Sequence, residues 1–595
     1  MKSALIYTLI RQFIFFVLFS LFPLIGLSNL SIKLSIDGIN DQALQNVKNR
    51  LTLQQEKDSS ELDVTRLQRL YEQGPQEIQE ALEPFGYYHA VITPSFKKTQ
   101  TGYNIRYQIE PGPLTVVQQI TLSLLGEGAA DLDLQQLFDR FPFKSGNVFI
   151  QIDYDAFKKE VANLANEHGL FDARFTTHKV SLDTKANTAK IDLVFDTGKQ
   201  YYFGDIQFIQ QDETFALSFL DRFVSFREGD LYRQTAVVEL EKALNNNENF
   251  SSIDVVSRIS QAEEEHVPID ILITPRKPFA FNIGGGYGTD TGLRSTLGWQ
   301  WRHLTSTGHQ LNNIYRLSEY KNSAEFSYMI PGRDPVTDQL LFSTGYVDDR
   351  PPDRDLNSKT AQVNASYLQG DPLKDWKRTW TLSYQDELYK DLDSSNRSTL
   401  YMPSITWEMI RTNNRFNARH GYNVRVNLRG ASNDTGSSTS FIQGDIFGKW
   451  IQDFDNDNYR VLLRGEFGAS KLDSLYALPP SLRFYAGGDN SVRGYGFQSL
   501  GYTTVNDEGK EVVEGGSYLI VGSAEIERKI IGKWSLAAFY DVGNAIIRLN
   551  DPLKEGVGLG IRWQSPIGPV RVDVARALSE PGWPYRLHVN IGPDL

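Results

Sequence analysis

Cysteine is absent from the 595-residue chain. Thiolate metal sites, thiol nucleophiles and disulfide staples are therefore excluded. A thiol-free chain also suits passage through an oxidising compartment. An excess of positive charge is missing too. The chain has 61 Lys and Arg against 73 Asp and Glu, a formal charge of −12, whereas a nucleic-acid binder wants a basic surface. Beyond Leu27 no segment approaches the roughly 18 apolar residues that a spanning helix needs. No HExxH, GxSxG or paired-carboxylate signature occurs, and the eight histidines are scattered. Gly284-Gly-Gly-Tyr-Gly288 lacks the Gly-Lys-Ser/Thr ending of a phosphate loop. Asp453-Phe-Asp-Asn-Asp457 lacks the glycine and the final glutamate of a calcium loop and reads as a turn. These absences argue against an enzyme and call for no metal and no cofactor.

Aromatic residues are plentiful at 12% of the chain. That matches the aromatic girdles of membrane β-barrels. The first 28 residues read as a signal peptide. Lys2 and Arg11 supply positive charge, and Phe13 to Leu27 is an apolar run ending near Ser28. The rival reading is a retained anchor.

Residues 31–276 hold a pattern that recurs about every 80 residues. Ala81-Leu-Glu-Pro-Phe-Gly-Tyr-Tyr-His-Ala90, Leu164-Ala-Asn-Glu-His-Gly-Leu-Phe-Asp-Ala173 and Ala243-Leu-Asn-Asn-Asn-Glu-Asn-Phe-Ser-Ser252 each end an amphipathic helix with Gly or Asn and then an aromatic. Alternating strands follow at 103–109, 189–195 and 268–273. The pattern predicts three α+β units over 31–112, 113–198 and 199–276, each with helices on one face of a short sheet. Their edge strands suit docking by strand addition, with a rigid spacer as the plain alternative.

From 277 to 595 helical periodicity vanishes. In Tyr422-Asn-Val-Arg-Val-Asn-Leu-Arg429 one face is apolar and the other polar. Sixteen such segments start near 279, 292, 308, 322, 338, 359, 376, 398, 420, 438, 458, 516, 533, 556, 568 and 585. An even number with an apolar exterior and a wet interior predicts a closed antiparallel transmembrane β-barrel. Outer loops are expected over 347–358, 390–397 and 549–556, with inner turns over 331–338, 529–533 and 565–569.

The connection between strands eleven and twelve carries Gly487-Gly-Asp-Asn-Ser-Val-Arg-Gly-Tyr-Gly496. Its Arg493 has no place against lipid and fits a wet lumen. Period two turns Ser523, Glu525 and Glu527 inward on strand twelve, with Ile520, Ala524 and Ile526 outward. On strand thirteen it turns Ser535, Ala537, Asp541 and Gly543 inward and Leu536, Ala538 and Tyr540 outward. Glu525 and Asp541 can then clamp Arg493, and Gly494 allows a backbone shape that other residues resist. Gly284, Gly285 and Gly286 lie in the strand that must close against the last, where glycine lets another backbone come near.

Three repeats, a barrel, the Val492-Arg-Gly-Tyr495 motif, the Tyr540-Asp-Val-Gly543 strand and the Ser565-Pro-Ile-Gly-Pro569 turn together resemble the Omp85 superfamily. The repeat number and the Gly592-Pro-Asp-Leu595 ending, which lacks a terminal aromatic, are similar to its TamA branch. The resemblance implies a 16-stranded barrel in the bacterial outer membrane with periplasmic POTRA repeats. It implies an arginine loop (Val492, Arg493, Gly494, Tyr495) tucked against Glu525 and Asp541. It also implies a weak seam between the first strand, from Phe281 through Gly284, Gly285 and Gly286 to Tyr287, and the last, with Leu587, Val589 and Ile591. The implied activity is insertion of nascent outer-membrane β-barrel proteins, notably autotransporters. The implied partner is a TamB-like inner-membrane-anchored protein docked on the first repeat, with a further role in moving phospholipid. A secretion pore for one dedicated polypeptide is the alternative, and a lipid conduit is a third reading.

Overall fold

The computed structural model describes residues 31–59, 62–100, 102–290, 292–351, 357–391, 394–412, 418–455, 458–505, 509, 511–565 and 568–591. The leader expected at 1–28 and the ending at 592–595 lie outside the described residues, as does the centre of the turn at 565–569.

Three three-stranded sheets come first, each with helices beside it in sequence. In each sheet the last strand of the repeat is central: Gly102–Glu110, Thr188–Asp196 and His266–Pro275. A central strand has neighbours on both sides and one face against helices, so its alternation is the cleanest. Ile105, Tyr107 and Ile109 are buried, as are Ala189, Ile191, Leu193 and Phe195, and Val267, Ile269, Ile271 and Ile273. In the first repeat, strand Ser31–Asp37 runs parallel to this centre and Val91–Lys98 antiparallel. That leaves two edge strands with free backbone groups.

The helices follow from local chemistry. Asn40 and Asp63 cap Asp41–Arg50 and Val64–Leu82, accepting from the N–H groups of Ala43 at 2.9 Å and Arg66 at 2.7 Å. Val64–Leu82 buries Leu67, Leu70, Gly74, Ile78, Ala81 and Leu82, a stripe of helical period. The glycines expected at the first two helix ends, Gly86 and Gly169, are left-handed with φ of +85° and +73°. The third repeat departs from this. Asn245, Asn246 and Asn247 are absent from the positive-φ residues. The Asn247 side chain instead accepts from the N–H of Asn249 at 3.0 Å, making an Asx turn that needs no left-handed residue.

No helix among the described residues is long and apolar enough to cross a membrane. The rest of the chain forms one antiparallel sheet of sixteen strands, from Phe279–Gly288 to Tyr585–Ile591, each paired with its sequence neighbour. Its burial is inside out. Phe281, Ile283, Leu293, Leu382, Ile526, Leu536, Leu559 and Val574 are exposed, whereas Arg460, Glu525, Glu527, Asp541, Arg562 and Asp573 are buried. An apolar exterior around a charged lumen is the signature of a barrel in lipid. Two expectations need correction. Residues 390–397 are largely not a loop: the seventh strand runs to Asp391 and the eighth starts at Ser394, with Lys390 paired to Ser395. The turn read over 453–457 holds from Asp455, whose carbonyl accepts from the Asn458 N–H at 3.1 Å, but not at Asp453. Asp453 lies in the tenth strand, Phe441–Phe454, with Arg419 Nη1 at 3.2 Å. Its inward parity puts it among lumen cations.

Gly74 is a point of close approach in the first repeat. A Cβ there would sit 2.2 Å from Tyr107 Oη, which donates to the Tyr71 carbonyl at 3.0 Å. Gly74→Ala should therefore lose about 1–3 kcal/mol through overpacking, more than the roughly 0.5–1 kcal/mol that alanine gains in a helix. Amide exchange across Val64–Leu82 in the intact chain should quicken. Unchanged protection would show that the Tyr107 ring yields at no cost.

Candidate functional site: an arginine loop and an open seam

Between the eleventh strand, Tyr459–Leu472, and the twelfth, Tyr518–Ile531, the chain makes a long inward excursion. It contains two short 3-10 turns, Leu475–Ala477 and Pro480–Leu482, and a hairpin, Tyr502–Val505 with Glu511–Gly515. Phe484, Ala486, Val492, Tyr495 and Leu500 pack on Leu519, Val521, Ala545 and Ala577 of the wall. The excursion thus has its own apolar footing, and Val492 is 0% exposed.

On that footing stands Arg493. Its Nε donates to Asp541 Oδ2 at 2.7 Å and its Nη2 to Asp541 Oδ1 at 2.9 Å, a bidentate pair. Nη1 donates to Glu525 Oε2 at 2.6 Å and to Asp573 Oδ2 at 3.3 Å. The Arg493 N–H also donates to Asp541 Oδ2 at 3.0 Å. Ser523 Oγ, directly across the ladder from Asp541, donates to Oδ1 at 2.6 Å. The guanidinium lies 3.4 Å from the centre of the Phe539 ring. Gly494 has φ of +97° and gives its N–H to His588 Nε2 at 2.9 Å. Tyr495 Oη donates to the Glu555 carbonyl at 3.1 Å. All four loop residues singled out by sequence therefore face the wall, and both acids meet the guanidinium.

Sequence reasoning missed the rest of the cluster. Arg562 donates to Glu525 Oε1 at 2.7 Å and to Asp573 Oδ1 at 2.5 Å, so a second guanidinium shares the acids. The same alternation that turned Asp541 inward turns Arg562 and Asp573 inward on strands fourteen, Lys554–Ser565, and fifteen, Gly568–Ala577. A further signal lay in Gly556-Val-Gly-Leu-Gly560. A Cβ at Gly556 would sit 2.0 Å from the Arg493 carbonyl, and one at Gly558 2.3 Å from Phe539. From Gly556 to Gly560 the inward face of this strand is bare, and the loop lies on it. Nearer the loop's start, Arg483 and Glu514 form a second ion pair at 2.7 Å with both side chains 0% exposed.

The seam residues behave differently. Phe281, Ile283 and Tyr287 point outward and are 75%, 84% and 50% exposed, and Leu587 is 52% exposed. Among the described residues no ladder bond joins the first strand to the last, although every other pair of sequence neighbours in the sheet is laddered. Side chains cross instead. Arg294, opposite Gly286 in the ladder, donates to the Ile591 carbonyl at 3.0 Å. The glycines expected to admit a nearby backbone do not do so. A Cβ at Gly284 or Gly285 would meet only ordinary contacts, whereas one at Gly286 would sit 3.0 Å from Arg294 Nε. The missing side chain at Gly286 leaves room for Arg294 to reach over the edge strand.

Two of the scattered histidines join carboxylates: His168 with Asp131 and Asp133, and His588 with Asp290 and Asp489. His588 Nδ1 lies 2.5 Å from Asp489 Oδ1, so with Gly494 on Nε2 both of its nitrogens are engaged within the protein.

Residues 280–594 match the Omp85 superfamily domain, and residues 33–111 match the first POTRA domain of TamA. The outer membrane protein assembly factor BamA of Neorickettsia risticii (strain Illinois) is 23% identical over 381 residues, which cover 59% of this chain and 49% of the relative. BamA of Buchnera aphidicola subsp. Acyrthosiphon pisum (strain APS) is 22% identical over 182 residues, covering 30% of this chain and 28% of its own. The chain thus spans about half the length of the first relative and less of the second. The crystal structure of BamA from Haemophilus ducreyi lacking POTRA domains 1-3 shares the fold. Its TM-score is 0.65 at 17% identity, over 80% of this chain and 99% of that one.

Removing Arg493 would leave Asp541, 0% exposed, without the cation that faces it. Breaking one side of a buried pair costs about 3–5 kcal/mol. In Arg493→Ala the barrel should still insert, while residues 486–500 become open to added protease. Loop protection equal to wild type would show that the apolar footing alone seats the loop.

Proposed function

Because the chain belongs to the Omp85 superfamily, we propose that it is an outer-membrane factor that promotes insertion of β-barrel proteins through the gap between its first and last strands. The observation that carries this reading is the seam, which has no ladder bonds among the described residues. Peptide groups have no water to pair with in hydrocarbon. An edge at Phe279–Gly288 is therefore a template for an incoming strand, which gains backbone hydrogen bonds there as it leaves water. The chemistry is non-covalent and no reaction is catalysed.

Strand length supports the same reading. The first strand has 10 residues and the described last strand 7, whereas the seventh and eighth have 15 and 19. A short apolar band beside the seam would thin the bilayer locally and ease insertion. We assign residues 1–28 to a signal peptide, 31–112, 113–198 and 199–276 to POTRA repeats in the periplasm, and 277–595 to the barrel. The match of the first repeat to TamA supports the TamA branch. It supports autotransporters among the clients, a TamB-like inner-membrane-anchored partner on 31–112, and a share in phospholipid transport. A secretion pore is less well supported, because the inward excursion packs an apolar cluster into the lumen.

The absence of native cysteine makes the test clean. With Gly285→Cys and Ile591→Cys crosslinked, autotransporter assembly into vesicles should stop and should return on reduction. Assembly that continues through a locked seam would favour the pore. An inner-membrane-anchored protein should co-purify with the full chain and be lost when 31–112 is deleted.

A further inference from the structure

The inward excursion reaches the seam as well as the wall. Thr289 and Asp290 follow the first strand, and His588 and Val589 belong to the last. Asp489 lies between them. Thr289 Oγ1 donates to Asp489 Oδ1 at 3.0 Å, and the Val589 N–H donates to Thr289 Oγ1 at 3.2 Å. The Asp489 N–H donates to Asp290 Oδ2 at 2.7 Å. Since Gly494 N–H can only donate, His588 Nε2 must accept, and the ring proton lies on Nδ1 facing Asp489. One carboxylate therefore accepts from both sides of the seam at once, and its own N–H holds the first hairpin. The side chains of Asp489 and His588 are 6% and 2% exposed, so these bonds are shielded from water and polarise one another.

We propose that Asp489 is a latch on the seam, so that seating of the Arg493 loop and closure of the first strand against the last form one coupled state. His588 is the joint. Its Nε2 takes the N–H next to Arg493 and its Nδ1 holds Asp489, which links the acid cluster to the hairpin at Thr289. A strand that enters the seam must break the Val589, Thr289 and His588 bonds. That strips the buried Asp489 of its donors and loosens the loop behind it. Conversely, a loop that leaves the wall releases the seam. Arg294 on Ile591 is a second tie further along and is independent of the loop.

The latch is a property of the barrel at rest, so its test needs no client and its failure would leave the assembly reading standing. The full chain in phosphatidylcholine vesicles would be followed by amide hydrogen exchange over 279–290, 486–500 and 585–591. Asp489→Ala should speed exchange in both seam strands by about tenfold, as loss of hydrogen bonds to a charged group requires. Arg493→Ala should do the same at the seam, although its side chain touches neither seam strand. Thr289→Ala, outside the acid cluster, should speed Val589 and its neighbours. Should Asp489→Ala fail to form a barrel by circular dichroism, the Thr289→Ala and Arg493→Ala arms decide. Seam strands that exchange at the wild-type rate in Arg493→Ala, while 486–500 loosens, would overturn the coupling. Wild-type exchange at 585–591 in Thr289→Ala would overturn the latch.

Discussion

Backbone pairing is the constraint on which the barrel depends. Each N–H and C=O left unpaired in hydrocarbon costs several kcal/mol, and sixteen strands meet most of that demand with continuous antiparallel ladders. Among the described residues the first and last strands do not meet it with each other. Side chains stand in there: Arg294 on the Ile591 carbonyl, and Thr289 on the Val589 N–H. A side-chain tie is a discrete contact that one rotamer change can release, whereas a ladder must unzip residue by residue. The wall is therefore strong along most of its circumference and weak along one line.

The inward loop answers a different demand. A guanidinium removed from bulk water needs negative charge and donors arranged around it. Strands twelve, thirteen and fifteen supply Glu525, Asp541 and Asp573, and Arg562 on strand fourteen keeps the acids from facing one cation alone. The glycines of strand fourteen make room for the loop backbone. Wall and loop are thus built for each other: the acids need the arginines, and the bare strand needs the loop. Through His588 this polar cluster reaches the weak line of the barrel.

Much of this was legible in the chain. Alternation in 279–591 located sixteen strands, and the central strand of each repeat stood out because both its sides are paired. Inward parity brought Glu525 and Asp541 to Arg493. Parity could equally have found Arg562 and Asp573, since it holds along each strand. Other readings failed for local reasons. The eighth strand begins at Ser394, before its apolar alternation becomes plain, so 390–397 passed for a loop. Asp453 sat in a polar cluster and passed for a turn residue, yet its strand continues to Phe454. The glycine run at 284–286 suggests a nearby backbone, but what comes close at Gly286 is the Arg294 side chain.

The sequence by itself determined the classes of structure and the inward or outward direction of each side chain, because period two and period 3.6 are local properties of the backbone. It also determined that a buried arginine would need acids. Only the tertiary structure decided which strands stop short of pairing and which groups bridge the gap. Asp489, Thr289 and His588 are separated by 200 and 99 positions along the chain, and no local pattern encodes a meeting at that distance. Closing the sheet around a lumen brings the two ends of the barrel together, with the loop between them.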